Sequence, residues 1–538
     1  MQYVIFGFIG IVLSMAGATT EAVTPTDIGD VCRTIDAPDT CPTGLAWDGH
    51  LLWVADRKSD RLYAIDPSDK TIQSNLEAPG FWPIGLAYDG EQLWIADRDQ
   101  KLAFRMDVNS GIVTRTLELD LSRPADLAWD GSHLWCVDDA KDRIVKLDPE
   151  DGTAIESFPS PSANPTGLAY DGSYLWVADR IDDSLYRVDR STGRAIMRIS
   201  SPGPYPIGLA FGPLGLFCAD YQSDLLECVC TSGSRKTIIS DPRKARVSYV
   251  TELINYGPGT VATSDFYIAV PSDGINQKLL GEVVFDPEPT EFVTDAWGQV
   301  FAHFRNEDIH NAGRAQAVMQ CDVELSDVLY LLSPENSGTF DEIPEHLKTD
   351  YLKDGSKYDL HNEYIASTAR KLKGDETNVL KTVFKIYDFV IDHIEYEMVG
   401  GWNTAATVLK RGTGSCSEYS FSFIALCRAA GIPARYAGSV VVRGDDACFD
   451  DVFHRWAEVY LPNFGWVPFD PSRGDKPQPA EQLKGLGWLA NTLFITTRSG
   501  GGSEFLGWTY NSETRYTTQG RCKVKTEQIA EWEPLPEQ

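Results

Sequence analysis

Between about Asp30 and Pro242 the chain repeats itself every 41 residues. Gly44, Gly85, Asp126, Gly167 and Gly208 hold one position of the unit, and Trp53, Trp94, Trp135, Trp176 and Phe217 hold a second. Asp56, Asp97, Asp138, Asp179 and Asp220 hold a third. The unit reads Pro, two residues, Leu-Ala-Trp/Tyr-Asp-Gly, a gap, Leu-Trp-x-Ala-Asp, a Leu/Ile-rich run ending in Asp, and a fourth strand; Pro42 to Leu76 is the first example. So short a unit cannot bury its own apolar face, so neighbouring units must stack. Short strands broken by turn residues at this period predict the blades of an all-β propeller. Five three-strand cores are visible. The run Val31 to Ile35 is a fourth strand without its own three, expected to complete the last blade and so remove a sheet edge. The count is five blades, with a degenerate sixth left open at Lys236 to Ile239.

The repeated aspartates have two readings. A ring of carboxylates could hold a metal. Against it, Asp48-Gly49, Asp89-Gly90, Asp130-Gly131 and Asp171-Gly172 are what hairpin turns require. The Asp56 series is suited to bonding local backbone N–H groups, and the tryptophans to blade core. The structural reading is the preferred one, and no metal or cofactor is expected. The units resemble those of NHL-type propellers. Such rims bind proteins or sugars, though the fold does not name a ligand.

From Arg243 to about Pro334 the pattern changes to alternation: Val247, Tyr249 and Thr251, a turn at Asn255 to Gly259, then Phe266 to Val270, Leu279 to Phe285 and Val318 to Leu331. This predicts an antiparallel β-sandwich. Helical periodicity begins after Gly338. Asn362 to Lys373 is one helix, and Glu376 to His393 is the most amphipathic, with Val379, Leu380, Val383, Phe384, Ile386, Tyr387, Val390 and Ile391 along one side. Ala405 to Arg411 follows.

The chemistry is concentrated between Gly414 and Asp470. Gly414-Ser415-Cys416-Ser417-Glu418 opens a helical pattern stopped by Gly431 and Pro433. Cys416 is thus in the first helical turn, where unpaired N–H groups and the dipole favour thiolate, and Gly414 and Ser415 are expected to leave room for a substrate backbone. Ala434 to Val442 and Phe453 to Leu461 read as strands, the second with His454, Trp456, Glu458 and Tyr460 on one face. A four-residue turn, Pro462 to Gly465, leads into Trp466 to Phe469 and Asp470, a hairpin that would return Asp470 toward His454. At these residues the sequence resembles the transglutaminase-like superfamily, whose core shows G-x-C-x-E at a helix start, an H-x-W-x-E strand, and an aspartate ending the next strand. Gly414/Cys416/Glu418, His454/Trp456/Glu458 and Asp470 match in order and spacing. The resemblance implies an α+β, papain-like core with catalytic Cys416, His454 and Asp470. It also implies an aromatic N–H upstream of the nucleophile that can help bind an oxyanion. Trp402 is the candidate, with core packing the preferred role.

The expected domains are a signal peptide at 1–18, propeller repeats at 27–242, a β-sandwich at 243–335, a transglutaminase-like catalytic core at 336–480, and a C-terminal extension with extra core-sheet strands at 481–538. Within the last, Leu493 to Thr497 and Phe505 to Tyr510 are the strands, and the tail from Glu533 is expected to fray. Val4 to Ala16 is too short to span a membrane, and Ala16-Gly17-Ala18 fits a cleavage site, although no Lys or Arg precedes it. A secreted, periplasmic or cell-surface protein is expected. The formal net charge of −30 disfavours nucleic acid and anionic membranes as partners. Eleven cysteines in an exported protein leave at least one thiol free. Proximity suggests Cys32–Cys41 and Cys218 with Cys228 or Cys230 as pairs, without fixing connectivity. Arg443-Gly444-Asp445 and Arg473-Gly474-Asp475 spell the adhesion tripeptide, but turns need Gly and Asp anyway. The function expected is a cysteine enzyme acting on protein or peptide amides through a thioester, as acyltransferase or amidase/peptidase. The rival is a non-catalytic secreted binding protein that recognises a protein or glycan through its propeller.

Overall fold

A computed structural model describes residues 27–398, 402–444 and 446–536. The expected signal segment lies outside them. No helix among the described residues is long and apolar enough to cross a membrane.

The repeat region forms five four-stranded antiparallel sheets. The first is Pro42–Trp47, Leu52–Asp56, Arg61–Asp66 and Thr71–Glu77 in sequence order. The last takes three strands from Pro206 to Val229 and, on its outer edge, Val31–Asp36, which runs antiparallel to Leu225–Val229. The two aspartate series have distinct local jobs. Asp48, Asp89, Asp130 and Asp171 each accept the indole N–H of the tryptophan five residues on, at 2.8–2.9 Å. Asp56, Asp97, Asp138, Asp179 and Asp220 are fully buried and accept the backbone N–H of the residue before each repeat proline.

The glycine position of the repeat explains how the sheets meet. A Cβ on Gly44 would stand 2.8 Å from Gly85 Cα, one on Gly85 2.5 Å from Asp126 Cα, and one on Gly208 2.2 Å from the Thr43 carbonyl oxygen. Backbones of successive sheets touch there, and the last touches the first. Asp126 is the one repeat without the glycine. Its carboxylate accepts the N–H groups of Leu86, Leu127, Leu168 and Leu209, four equivalent positions, at 2.8–3.3 Å. Burial pushes its carboxyl well above the usual range, against those four N–H groups. One side chain thus ties four sheets at their centre.

Thr237–Ala269 follows as one 33-residue strand. Its start, Thr237 to Ile239, pairs with Val328 to Tyr330 and so belongs to the next sheet, not to a further blade. Its first half pairs with Arg314–Tyr330 and its second with Val300–Ile309. Ser512–Pro534 runs along its other edge from Ala245 to Ile268. The apolar residues of both halves, among them Val247, Tyr249, Phe266, Phe304 and Met319, share one core. Two expectations for the C-terminal extension fail here. Phe505 to Tyr510 is not a strand, and the tail does not fray at Glu533: Glu533 and Pro534 pair with Arg246 and Ala245. An exposed edge on so long a strand needs a partner, and the extension supplies it. Leu493–Ser499 does join the core sheet, beside Ala434–Val441.

The cysteines are all free. The pairs suggested by proximity do not form because strand register separates them. Cys218 lies opposite Glu227, one residue off Cys228. Cys32 is on the outer strand of the last sheet, beside Cys228, while Cys41 is buried at the first sheet, next to Asp56.

Candidate active site

The helix Cys416–Ala429 is buried on every side: Tyr419, Phe421, Phe423, Ile424, Leu426 and Cys427 are all fully inaccessible. Its start carries the capping-box pair Ser415 and Glu418, in which Glu418 accepts the backbone N–H of Ser415 at 3.2 Å. Glu418 does more. Fully buried, it also accepts Arg411 at 2.9 Å and both the backbone and side-chain N–H of Asn403, at 3.1 and 2.9 Å. Gly414 serves this glutamate rather than a substrate, because a Cβ there would stand 3.0 Å from Glu418 Cβ and 3.2 Å from Val408. The G-x-C-x-E segment is therefore the frame that aims Cys416.

The strand His454–Leu461 lies between Ala434–Val441 and Gly465–Phe469. The hairpin loop is one residue tighter than the four-residue turn read from the sequence: Leu461 pairs with Gly465, which takes a left-handed φ of 81°. Ala457 pairs with Phe469, so Asp470 falls diagonally from His454 and reaches it, with Asp470 Oδ2 2.6 Å from His454 Nε2. Asp470 is also the N-cap of the short helix Pro471–Gly474, its Oδ1 taking Ser472 Oγ at 2.7 Å and Arg473 N at 3.1 Å. The aspartate is held from both ends. Cys416 lies near enough to His454 for the imidazole to lower its thiol, and with Nε2 taken by Asp470 the ring nitrogen left is Nδ1. The structure thus brings Cys416, His454 and Asp470 together.

Electrostatics follow from that line of contacts. Burial disfavours charge on each member. It is outweighed at His454 by the Asp470 carboxylate, which raises the imidazole to about 10. For Cys416, burial raises the thiol, but His454, the Arg455 backbone N–H and the Arg455 charge carry it below the usual range. Asp470 is likewise lowered, by His454, Ser472 and the Arg473 N–H against its burial. Each shift favours a thiolate–imidazolium pair.

Glu458 completes the H-x-W-x-E pattern without approaching Cys416. It is buried and paired with Arg435 at 2.7 Å and Arg498 at 3.1 Å. Arg455 is the residue that sequence reasoning passed over. Fully buried on the opposite face of the strand, its guanidinium stands 4.3–5.1 Å from the rings of Tyr510, Tyr436, Phe421 and Trp402, and it donates to the Trp508 carbonyl at 2.7 Å. The signal was there, an arginine at an alternating position that should be apolar. Trp402 corrects the preference for core packing. It is 37% exposed and lines a cleft of about 440 Å³ with Cys416, Tyr396, Tyr510 and Glu513. That cleft shares Tyr396, Met398 and Phe453 with a second, of about 540 Å³, that reaches His454. The second adhesion-like tripeptide is structural: a Cβ on Gly474 would meet Tyr387 Oη at 1.5 Å, and Asp475 accepts the Tyr419 hydroxyl at 2.7 Å. Asp445 of the first lies outside the described residues. No cluster of three metal-ligating side chains occurs among the described residues.

Residues 366–471 match the transglutaminase-like superfamily. An uncharacterised protein of Haemophilus influenzae is 31% identical over 135 residues, which are 21% of this chain and 37% of that protein. Bacillus subtilis YebA, also uncharacterised, is 35% identical over 71 residues, 11% of this chain and 10% of YebA. The protein therefore spans little over a third of one curated relative and a tenth of the other. Among solved structures, a Cytophaga hutchinsonii protein described as a candidate cysteine protease is matched over 56% of this chain and 100% of that one, at 16% identity and a TM-score of 0.39. Myxococcus xanthus glutaminyl cyclase is matched over 37% of this chain and 94% of that one, at 15% identity and a TM-score of 0.33. The segment that carries Cys416, His454 and Asp470 is a transglutaminase-like domain.

Proposed function

We propose that the protein is a cysteine enzyme acting on protein or peptide amides, with Cys416 as nucleophile, His454 as proton carrier and Asp470 as the group that orients it. The observation that carries this is the grouping of Cys416, His454 and Asp470, with His454 hydrogen-bonded to Asp470 and Cys416 at a helix N-terminus, its thiol lowered and the imidazole raised. The Cys416 thiolate attacks the amide carbon, forming a C–S bond and a tetrahedral oxyanion. The Cys416 backbone N–H, free in the first helical turn, and the Trp402 indole N–H at the cleft are the donors suited to hold it. The imidazolium gives its proton to the departing nitrogen as the C–N bond breaks, leaving a thioester and neutral imidazole. An incoming amine or water then loses a proton to His454, attacks the thioester and releases the thiolate. Two joined clefts passing Cys416 and His454 suit an extended polypeptide better than a compact metabolite.

The test is the full-length protein with a glutamine-rich protein and a labelled primary amine, beside Cys416→Ala. Ammonia release with label incorporation, both lost in the variant, makes it a transamidase. Ammonia without label makes it an amidase, and new peptide ends make it a peptidase. Silence of both proteins across a broad substrate set overturns the proposal and leaves the propeller as the functional part.

A further inference from the structure

The repeat that builds the five sheets also builds a funnel at their centre. The residue following each buried aspartate of the Asp56 series turns into one cavity of about 330 Å³: Arg57, Arg98, Asp139, Arg180 and Tyr221, each 41 residues after the last. A second ring comes from the residues before the repeat prolines, Trp82, Arg123, Asn164 and Tyr205. The floor is the residue after each proline, among them Ile84, Ala125 and Ile207. In a protein of net charge −30, four arginines and one aspartate share this space. The five buried aspartates behind the ring form no ion pair with these guanidinium groups and accept loop N–H groups instead.

The four arginines are not equivalent. Arg98 and Arg123 both pair with Asp139. Arg57 lies flat over the Trp82 indole, 3.4 Å from its centroid, and Arg180 donates to Tyr205 Oη at 2.6 Å. Neither Arg57 nor Arg180 has a carboxylate partner among the described residues, so each keeps a full charge with planar donors to offer. Two lining residues hold buried polar atoms without a partner, the Trp82 indole N–H and the Asn164 side-chain oxygen. A buried donor and a buried acceptor left open are costly unless a ligand meets them.

We propose that this funnel binds a peptide carboxylate. The carboxylate would be taken by Arg57 and Arg180, the adjoining amide C=O by the Trp82 indole N–H, and its N–H by the Asn164 oxygen, with an apolar side chain over Ile84 and Ile207. A polypeptide C-terminus and an aspartate or glutamate side group both supply such a carboxylate; the chemistry is shared. The proposal does not depend on the activity assigned to Cys416.

The experiment is calorimetric titration of the full-length protein with three probes: N-acetyl-Leu-Gly with a free carboxylate, its C-terminal amide, and N-acetyl-Asp amide. The expected result is binding of N-acetyl-Leu-Gly and none of the amide, with affinity at least tenfold weaker in Arg57→Gln and in Arg180→Gln, and partly kept in Arg57→Lys. N-acetyl-Asp amide binding with the same arginine dependence supports the same site and assigns the carboxylate to a side group. Far-UV circular dichroism and thermal unfolding check the fold, and if a Gln variant does not fold, the Lys variants at both positions report in its place, since they keep charge but lose the planar fork. Equal binding of free and amidated peptide, no binding of either carboxylate probe at millimolar concentration, or binding unchanged in both arginine variants each overturns the proposal. So does inorganic phosphate displacing the peptide at equal concentration, which would make the funnel a general anion site.

Discussion

Removal of the imidazole should change how Cys416 reacts with pH in a way that no simple loss of structure reproduces. At pH 6 a thiol of ordinary pKa, about 8.5, is only ~0.3% ionised. A thiolate already formed at that pH, as the lowered Cys416 would permit, therefore carries up to ~300-fold more reactive species. Part of that is returned, because a less basic thiolate is a weaker nucleophile, with a Brønsted slope of about 0.4–0.5. Wild type should then alkylate at least severalfold faster than His454→Ala at pH 6. Once the pH is high enough to ionise the variant's thiol as well, the order should reverse, because the variant's more basic thiolate is the stronger nucleophile. The wild-type profile should stay flat from below neutral toward pH 10, where His454, raised to about 10, gives up its proton and the pair dissolves. The assay is iodoacetamide labelling quenched over time and read by mass spectrometry at the Cys416 peptide. Cys448, exposed on the surface, serves as an in-molecule reference. A wild-type rate that climbs tenfold per pH unit between 6 and 8, parallel to the variant, would refute the ion-pair reasoning.

Asp470→Asn removes a carboxylate lowered in the folded state and the partner that raises His454. The wild-type advantage in urea midpoint should be greatest between about pH 4 and 6.5, where both unfolded groups carry their folded charges. It should shrink as pH falls through the lowered Asp470 value and as pH rises toward 10. Glu418→Ala leaves Arg411, Asn403 and the Ser415 N–H without their acceptor and should cost about 2–4 kcal/mol, read as a lower urea midpoint. Asp126→Gly restores the repeat consensus, yet it strands the N–H groups of four leucines. It should lower stability by about 2–4 kcal/mol, after allowing for the relieved burial of its own carboxyl; an unchanged melting temperature would count against a central tie.

The sequence reported this molecule where local chemistry repeats or crowds. A 41-residue period repeated across five glycine, tryptophan and aspartate positions announces stacked strands, and Asp48-Gly49 and its equivalents announce turns. Cys416, His454 and Asp470 were singled out by the resemblance of their three motifs in order and spacing, and the hairpin only suggested that Asp470 could return toward His454. What escaped depended on partners distant in sequence. Ser512–Pro534 reads as polar and charged, with little alternation, because one strand edge rather than a sheet face claims it. Arg455 was passed over because its stabilisation comes from four rings, none of them on its own strand. Asp126 looked like a lapse in the repeat, and its reason is visible only when Leu86, Leu168 and Leu209 stand around it. The funnel arginines were hidden by the same regularity that revealed the fold, since Arg57, Arg98 and Arg180 each follow a repeat aspartate at the end of a strand and Arg123 precedes a repeat proline.

The propeller and the transglutaminase-like domain are packed together, and this has a measurable consequence. One continuous apolar core runs from Trp176, Tyr186 and Ile199 of the fourth sheet to Tyr387, Val390 and Phe423 beside the cysteine helix. Across the junction Arg194 lies against the Phe384 ring and pairs with Asp388, both on the helix Val379–His393, and burial lowers its guanidinium to about 10. Ala480 N donates to the Pro161 carbonyl at 2.9 Å, and Arg187 reaches Glu335 at 3.5 Å. Removing the repeats would uncover the apolar side of that helix, on which the cysteine helix packs, and each large side chain so exposed forfeits about 1.5–3 kcal/mol. Losing two or three such burials is a large part of the roughly 5–15 kcal/mol by which a domain is stable. The fragment from Arg243 onward should therefore melt well below the full-length protein, and the full-length protein should show the two regions unfolding in one transition by circular dichroism and by Cys427 labelling, a thiol buried in the cysteine helix. If Cys427 becomes reactive in a separate transition, with the truncated protein melting at the same temperature, then the two regions are independent and the junction carries no stability.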